Sequence, residues 1–165
     1  MALTSARLVI SLRGMTTPTA PVEGELARTL ENGNGGARWT DGQASGQVDR
    51  VYQADGTLAA SATDQYDLLA AGGLKDILSR AVDLDELKAF ELTCVTGWIK
   101  FTAPGANFLP LFGAAGDYIS LTAGQTLAFD FGAAGISLGT SGKFNIVEAA
   151  GGSGSTYSIM FAGSN

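Results

Sequence analysis

The sequence predicts an all-β protein, an antiparallel β-sandwich of jelly-roll type with an N-terminal strand or arm. Three observations carry this. Short strand-like runs recur at roughly ten-residue spacing through the second half of the chain. Turns of small residues separate them: TAG, GAA, GTSG and AAGGSGS. The 165 residues are 45% hydrophobic and only 16% charged, with 23 glycines, a balance that suits short strands and many turns and lies far from that of a disordered chain. The length fits one domain with a core of useful size.

The elements follow in order. Over residues 6–13, Leu8, Ile10 and Leu12 alternate with Arg7, Val9, Ser11 and Arg13, a period-two strand signal. Met15 to Val22, with Pro18 and Pro21, reads as an extended connector. Residues 32–47, NGNGGARWTDGQASGQ, form a Gly-rich loop, so residues 1–46 make an N-terminal strand, connector and flexible joint, and 47–165 the sandwich. Val48 to Gln53 reads as a strand and Asp55-Gly56 as a turn. Thr57 to Ala60 and Gln65 to Leu69 are further extended pieces. Apolar residues at 74, 77, 78 and 81 predict a short helix over Leu74 to Ala81. Lys88 to Val95 alternates Phe90, Leu92 and Cys94 against Ala89, Glu91 and Thr93; Gly97 ends it, and Trp98 to Thr102 is the next strand. Five more runs lie at Tyr118 to Leu121, Gln125 to Phe131, Gly135 to Leu138, Lys143 to Val147 and Thr156 to Phe161.

The residue inventory excludes much chemistry. There is no histidine, so Ser-His-Asp and Cys-His arrangements are impossible. Gly33 to Arg38 carries Arg38 where a dinucleotide fingerprint needs its third glycine, and Gly139 to Phe144 has neither P-loop spacing nor a hydroxyl after its lysine. Ser141 and Ser153 lack the nucleophile elbow. The one cysteine, Cys94, falls on an apolar strand face as a small hydrophobe and leaves no internal disulfide. Zinc has no ligand set, and Asp41, Asp49 and Asp55 lack an EF-hand pattern. Asp83, Asp85, Glu86, Asp117 and Asp130 are the carboxylates a glycosidase would draw on, although solvated charge is their simpler role. The expectation is therefore a non-enzyme with no cofactor and no metal. A net charge of −6 disfavours nucleic acid as a partner. No apolar run approaches the ~20 residues of a membrane span, and the N-terminus lacks the pattern of a signal peptide.

Candidate interaction residues are few. Arg7 and Arg13 give the first 22 residues a basic tip. Arg38-Trp39 places a large aromatic in a polar loop, where it packs on its own domain, a neighbouring subunit or a ligand. In Asn107 to Gly113, NFLPLFG, Pro110 blocks an ordinary central strand, so Phe108, Leu109, Leu111 and Phe112 either meet a partner or close the end of the sandwich. Aromatics including Trp39, Trp98, Tyr52, Tyr66, Tyr118 and Tyr157 leave a carbohydrate-binding module as an alternative.

The run Gly46 to Asp76, GQVDRVYQADGTLAASATDQYDLLAAGGLKD, resembles small structural proteins encoded in tailed-bacteriophage genomes, through its Gly-rich lead-in, Asp49-Arg50-Val51, Thr57 to Ser61 and Asp67-Leu68. LKAFELTC, TAGQTLAFDF and KFNIVEAAGGSGSTYSIMFAG resemble later segments of the same proteins, with Ala123-Gly124 in place of their usual proline-glycine. The resemblance implies a virion component made in the host cytoplasm. Its first form is a head decoration protein, bound to the major capsid protein or other virion proteins and assembled as a homo-oligomer, with a trimer expected. A tail- or fibre-associated protein is the alternative. The resemblance supplies no functional residues, and an N-terminal arm that adds a strand to a neighbour fits it.

Overall fold

The computed structural model describes residues 6–7, 38–69, 72–76, 79–149, 151 and 153–165. Twelve strands run in chain order: β1 (Ala6–Arg7), β2 (Arg38–Asp41), β3 (Gln47–Val48), β4 (Arg50–Leu58), β5 (Thr63–Asp67), β6 (Glu86–Thr96), β7 (Trp98–Thr102), β8 (Tyr118–Thr122), β9 (Thr126–Asp130), β10 (Ile136–Ser137), β11 (Lys143–Glu148) and β12 (Ser155–Ser164). No α-helix occurs among the described residues. Most of the predicted 6–13 strand, the connector and Arg13 lie outside them.

Two antiparallel sheets pack face to face. One has the order β4-β12-β6, with β9 and β10 following each other along the far side of β6; the other has the order β5-β11-β7-β8. The pairing is nested. β4 pairs β12, β5 pairs β11, β6 pairs β9 and β7 pairs β8, so the eight main strands form the jelly roll that the sequence predicts. Between the sheets, Phe90 of β6 meets Phe101 of β7 and Phe144 of β11, with ring centroids 5.0 and 5.6 Å away. Tyr66 stacks on Phe144 and Tyr52 on Phe161. Inward-facing Leu58, Leu92, Ile99, Ile146 and Ile159 fill the rest.

A third layer lies outside the first sheet. β1 pairs β2 antiparallel, and β2 pairs β3 in parallel across a tight Gly42–Gly46 loop. Trp39 and Val48 from this layer pack on Val51, Ala89, Met160 and Ala162 of the sheet. Hence β6 and β12 do not alternate cleanly between buried and exposed. Both faces of each strand are covered there, and the small Ala89 and Ala162 leave room for the indole.

Three sequence expectations on secondary structure change. Asp55-Gly56 is no turn, because β4 runs straight through it. The glycine is needed for space: a Cβ at 56 would overlap the Tyr157 ring, which crosses from β12 directly above. The predicted helix over 74–81 is not seen among the described residues, 74–76 and 79–81. Asp76 accepts a hydrogen bond from the Arg80 amide at 2.7 Å and pairs its guanidinium, while Val82 N–H reaches Leu74 C=O. A buried aspartate that binds the backbone four residues on competes with helix formation and wins here. Finally, Arg38–Asp41 is a strand in a region read as a flexible loop.

Gly56→Ala is expected to cost about 2 kcal/mol by overpacking against Tyr157. Gly105→Ala, in open space, should stay within about 0.5 kcal/mol of the parent in the same urea titration. Equal midpoints for the two variants would contradict the packing role of Gly56.

Candidate interaction surface

Of the residues that the sequence offers for partner contacts, Trp39, Leu109, Leu111 and Phe112 pack within their own domain. Trp39 is only 2% exposed and belongs to the third layer of its own domain. Arg7 and Arg38 are opposite each other in the β1–β2 register. Leu109 is fully buried in the main core, and Phe112 packs on Phe101 at 4.9 Å. Leu111 is half-buried against the same core, and Phe108 is half-buried beside a bridge to Lys143. Leu109 N–H donates to Lys143 C=O and Lys143 N–H to Asn107 C=O, which seats the loop on the end of β11. Of the two readings of NFLPLFG, the described geometry is the closing of its own sandwich.

Exposed apolar surface lies elsewhere. Tyr118 is 57% exposed, Trp98 40%, and Ile119 and Val95 37% each; Val95 and Trp98 flank the β6–β7 corner, and Tyr118 lies at the other end of the β7–β8 ladder. Tyr118, Ile119 and Trp98 sit on the paired strands β7 and β8. On their outer face Lys100 Nζ lies 4.7 Å from the Tyr118 ring centroid, a cation–π contact. The corner depends on Gly97, which has φ 78° and no room for a side chain beside Ser155. Ser155 Oγ accepts from Trp98 N–H at 3.0 Å and donates to Trp98 C=O at 3.1 Å. A shallow hollow of about 360 Å³ opens next to this corner, lined by Thr57, Leu58, Ala59, Ala60, Thr96, Ser153, Gly154, Ser155 and Thr156. Its polar lining is hydroxyl and main chain, suited to hydrogen bonding and lacking any side-chain base.

Three polar devices, none foreseen from the sequence, hold the frame behind this surface. Lys88 is fully buried; its ammonium pairs with Glu86 and donates to Ala133 and Ala134 C=O at 3.0 and 2.7 Å, pinning the β9–β10 connection. Asp49 accepts from Arg50, Gln43 and the Asn165 amide, and its carbonyl accepts from Arg80, so it ties together both ends of the described sandwich and the 72–81 loop. Inside the core, Tyr157 donates to Asp64 at 2.5 Å. Its single proton is then committed, so Tyr66 is the donor in the 2.8 Å Tyr66–Tyr157 bond. This chain joins β12 of one sheet to β5 of the other. Burial, as the largest cause, pushes the Tyr66 hydroxyl up to about 12. Burial and then the bond to Asp64 push Tyr157 higher still. Burial also raises the Cys94 thiol, which points at the Thr96 and Gly97 carbonyls, in keeping with a packing role. Period-two alternation marks such positions as inward without saying that two hydroxyls and a carboxylate converge, because the convergence is between strands about 90 residues apart.

Among the described residues no group of three or more His, Cys, Asp and Glu side chains is placed to hold a metal ion. Among the described residues no helix is long and apolar enough to cross a membrane. No family model matches the chain, and no curated protein matches it significantly. Among solved structures, the coat protein of Tobacco streak virus aligns over 69% of this chain and 87% of its own, at 10% identity and a TM-score of 0.32, a likeness too low to carry an argument.

Trp39→Ala is expected to lower stability by about 3 kcal/mol, read as a shift in the urea midpoint of the isolated protein; an unchanged midpoint would return Trp39 to the list of partner contacts. Alkaline pH provides a second check. Folded Tyr66 and Tyr157 hold their protons above the ordinary 10.0, so above pH 10 the unfolded chain carries fewer protons than the folded one and stability falls. The contribution is complete below pH 10 and is lost as pH climbs towards 12. Tyr157→Phe should flatten this alkaline loss, and ultraviolet titration of tyrosinate should show two groups ionising only with unfolding. Normal titration of all four tyrosines in the folded protein would contradict the core hydrogen-bond chain.

Proposed function

We propose that this chain is a structural virion protein of a tailed phage, a decoration protein that binds the head through protein–protein contacts with the major capsid protein. The observation that carries the reading is the nested jelly-roll pairing, an architecture shared by viral capsid domains, lectins and cupins. Fold alone is analogy. The resemblance of residues 46–76 and of the later strands to phage structural proteins selects among those hosts.

The physical role fits the frame. A decoration protein contributes a rigid body and complementary surface, and here the rigidity comes from a core crossed by buried hydrogen bonds. The surface is low in charge apart from a net −6, so apolar and main-chain contacts carry the binding and salt affects it weakly. Trp98 and Val95, on either side of Gly97, are the exposed anchors. The basic N-terminal segment with Arg7 and Arg13 is a second anchor in this reading.

Purified protein added to heads lacking it should bind saturably and raise the temperature at which the heads lose their DNA; deleting residues 1–22 should weaken that binding. Binding to tails and not to heads would move the protein to the tail, and binding to neither would remove the virion assignment. A second reading, glycan binding, is favoured by the hydroxyl-lined hollow beside the exposed Trp98. It predicts retention on a glycan array that Trp98→Ala abolishes.

A further inference from the structure

Among the described residues the two sheets have four edges, and one of them differs from the rest. β4 carries Arg50 and Asp55, β5 carries Asp64 and Asp67, and the β9–β10 edge carries Asp130 and ends in a two-residue strand. Charge and shortness are the usual protections against edge-to-edge pairing. β8, Tyr118–Thr122, has neither charge nor proline, and it carries two of the most exposed large apolar side chains, Tyr118 and Ile119.

The hydrogen-bond pattern shows which of its main-chain groups are free. Ala123 N–H donates to Gly97 C=O and Ala103 N–H to Asp117 C=O, flanking the ladder in which Ile99 pairs Leu121 and Phe101 pairs Ile119. Antiparallel ladders alternate, so odd-numbered residues of β8 bond to β7 and Tyr118, Ser120 and Thr122 face outward. Thr122 is already satisfied, since its N–H donates to Gln125 Oε1 at 2.8 Å and its C=O accepts from Gln125 N–H at 2.9 Å. Among the described residues this leaves the N–H and C=O of Tyr118 and Ser120 without partners.

We propose that β8 pairs antiparallel with β8 of a second copy, about a twofold axis at Ile119, to make a continuous eight-stranded sheet. This register sets Tyr118 opposite Ser120 of the second copy and Ser120 opposite its Tyr118. The two pairs exchange four main-chain hydrogen bonds, using all of the free groups and disturbing none of the satisfied ones. Ile119 meets its own copy on the axis, in the closely spaced kind of pair, and the edge of Tyr118 is covered. A register centred on Ser120 would require Thr122 to give up both bonds to Gln125. The strand brings no carboxylate to the seam: Asp117, just before it, is turned back to accept the Gly113 and Ala114 amides. A chain of net charge −6 therefore meets its copy where local charge repulsion is absent. The inference does not depend on the virion reading.

Cysteine scanning with mass measurement tests it. Cα atoms on the axis would be about 4.5 Å apart at Ile119, but about 8 Å apart at Ser120 because of the two-residue stagger. Under mild oxidation Ile119→Cys should give a disulfide dimer and Ser120→Cys should not, with buried Cys94 silent in both. By sedimentation at concentrations up to about 300 µM, the parent should approach twice the 16.9 kDa of one chain. Ile119→Lys should weaken dimerisation at least about tenfold, with its unfolding midpoint checked separately. Gln65→Lys on the β5 edge should leave the mass unchanged. Cross-linking at 120 rather than 119, equal cross-linking at both, a monomeric parent, or a trimer without the 119 cross-link would each overturn the pairing.

Discussion

The structure depends on the last strand being paired along both sides. β12 lies between β4 and β6 for nearly its whole length, so its ten residues hold the first and third main strands of the sandwich in one sheet. Nesting is the consequence: once β4 and β12 are neighbours, the successive inner pairs follow as a folded ribbon. The constraint shows in the packing. Gly56 must lack a side chain because Tyr157 crosses it, and Gly163 must lack one because Glu86 C=O and Leu84 lie against it. Register shifts between Thr156 and Tyr157 and between Ala162 and Gly163 interrupt the pairing with β6, while the pairing with β4 runs in one unbroken register. Such pairings are far apart in sequence, so their loop-closure entropy is lost before their contacts are gained, and the folding of this chain is limited by topology.

With the sheets in place, polar groups fix how they sit on each other. Apolar packing alone tolerates some sliding between sheet faces. The Tyr66–Tyr157–Asp64 chain does not, because its bonds at 2.5–2.8 Å cross between sheets and leave a costly buried hydroxyl if the sheets shift. Lys88 acts within the first sheet, holding the β9–β10 connection to β6. Gly46 N–H also reaches Ala133 C=O in the same connection, so the third layer and the sandwich share that anchor. Asp49 closes the remaining side.

Much of the sandwich was legible because half-buried strands leave a period-two trace, and Phe90-Leu92-Cys94, Phe144-Ile146 and Tyr157-Ile159-Phe161 all face inward as read. The errors share a cause. Asp55-Gly56 is a strong local turn signal, and residues 74–81 have helical spacing; in both places a distant side chain or a buried ion pair overrides the local preference. For Trp39 and the 107–113 loop the sequence leaves packing on the own domain and contact with a partner both open, because their neighbours are polar or contain proline. A chain of 165 residues that builds two sheets and a covering layer has few large apolar side chains to spare. Residues such as Leu109 and Trp39 are therefore drawn into the core even from irregular segments.

The same reasoning explains why the most exposed apolar strand was not singled out. Tyr118 to Leu121 alternates like any other strand, and nothing in YISLT marks it as an edge. Edge status belongs to the topology: β8 follows β7 directly, in a sheet whose other neighbours are already taken. Only with that order known does the absence of charge acquire meaning, since an uncharged central strand is ordinary and an uncharged edge is a surface that can still form hydrogen bonds. The core of this protein can be read from the spacing of its apolar residues. Its contact surface is set by which main-chain groups the nested pairing leaves over, a quantity fixed by the strand order and not by local spacing.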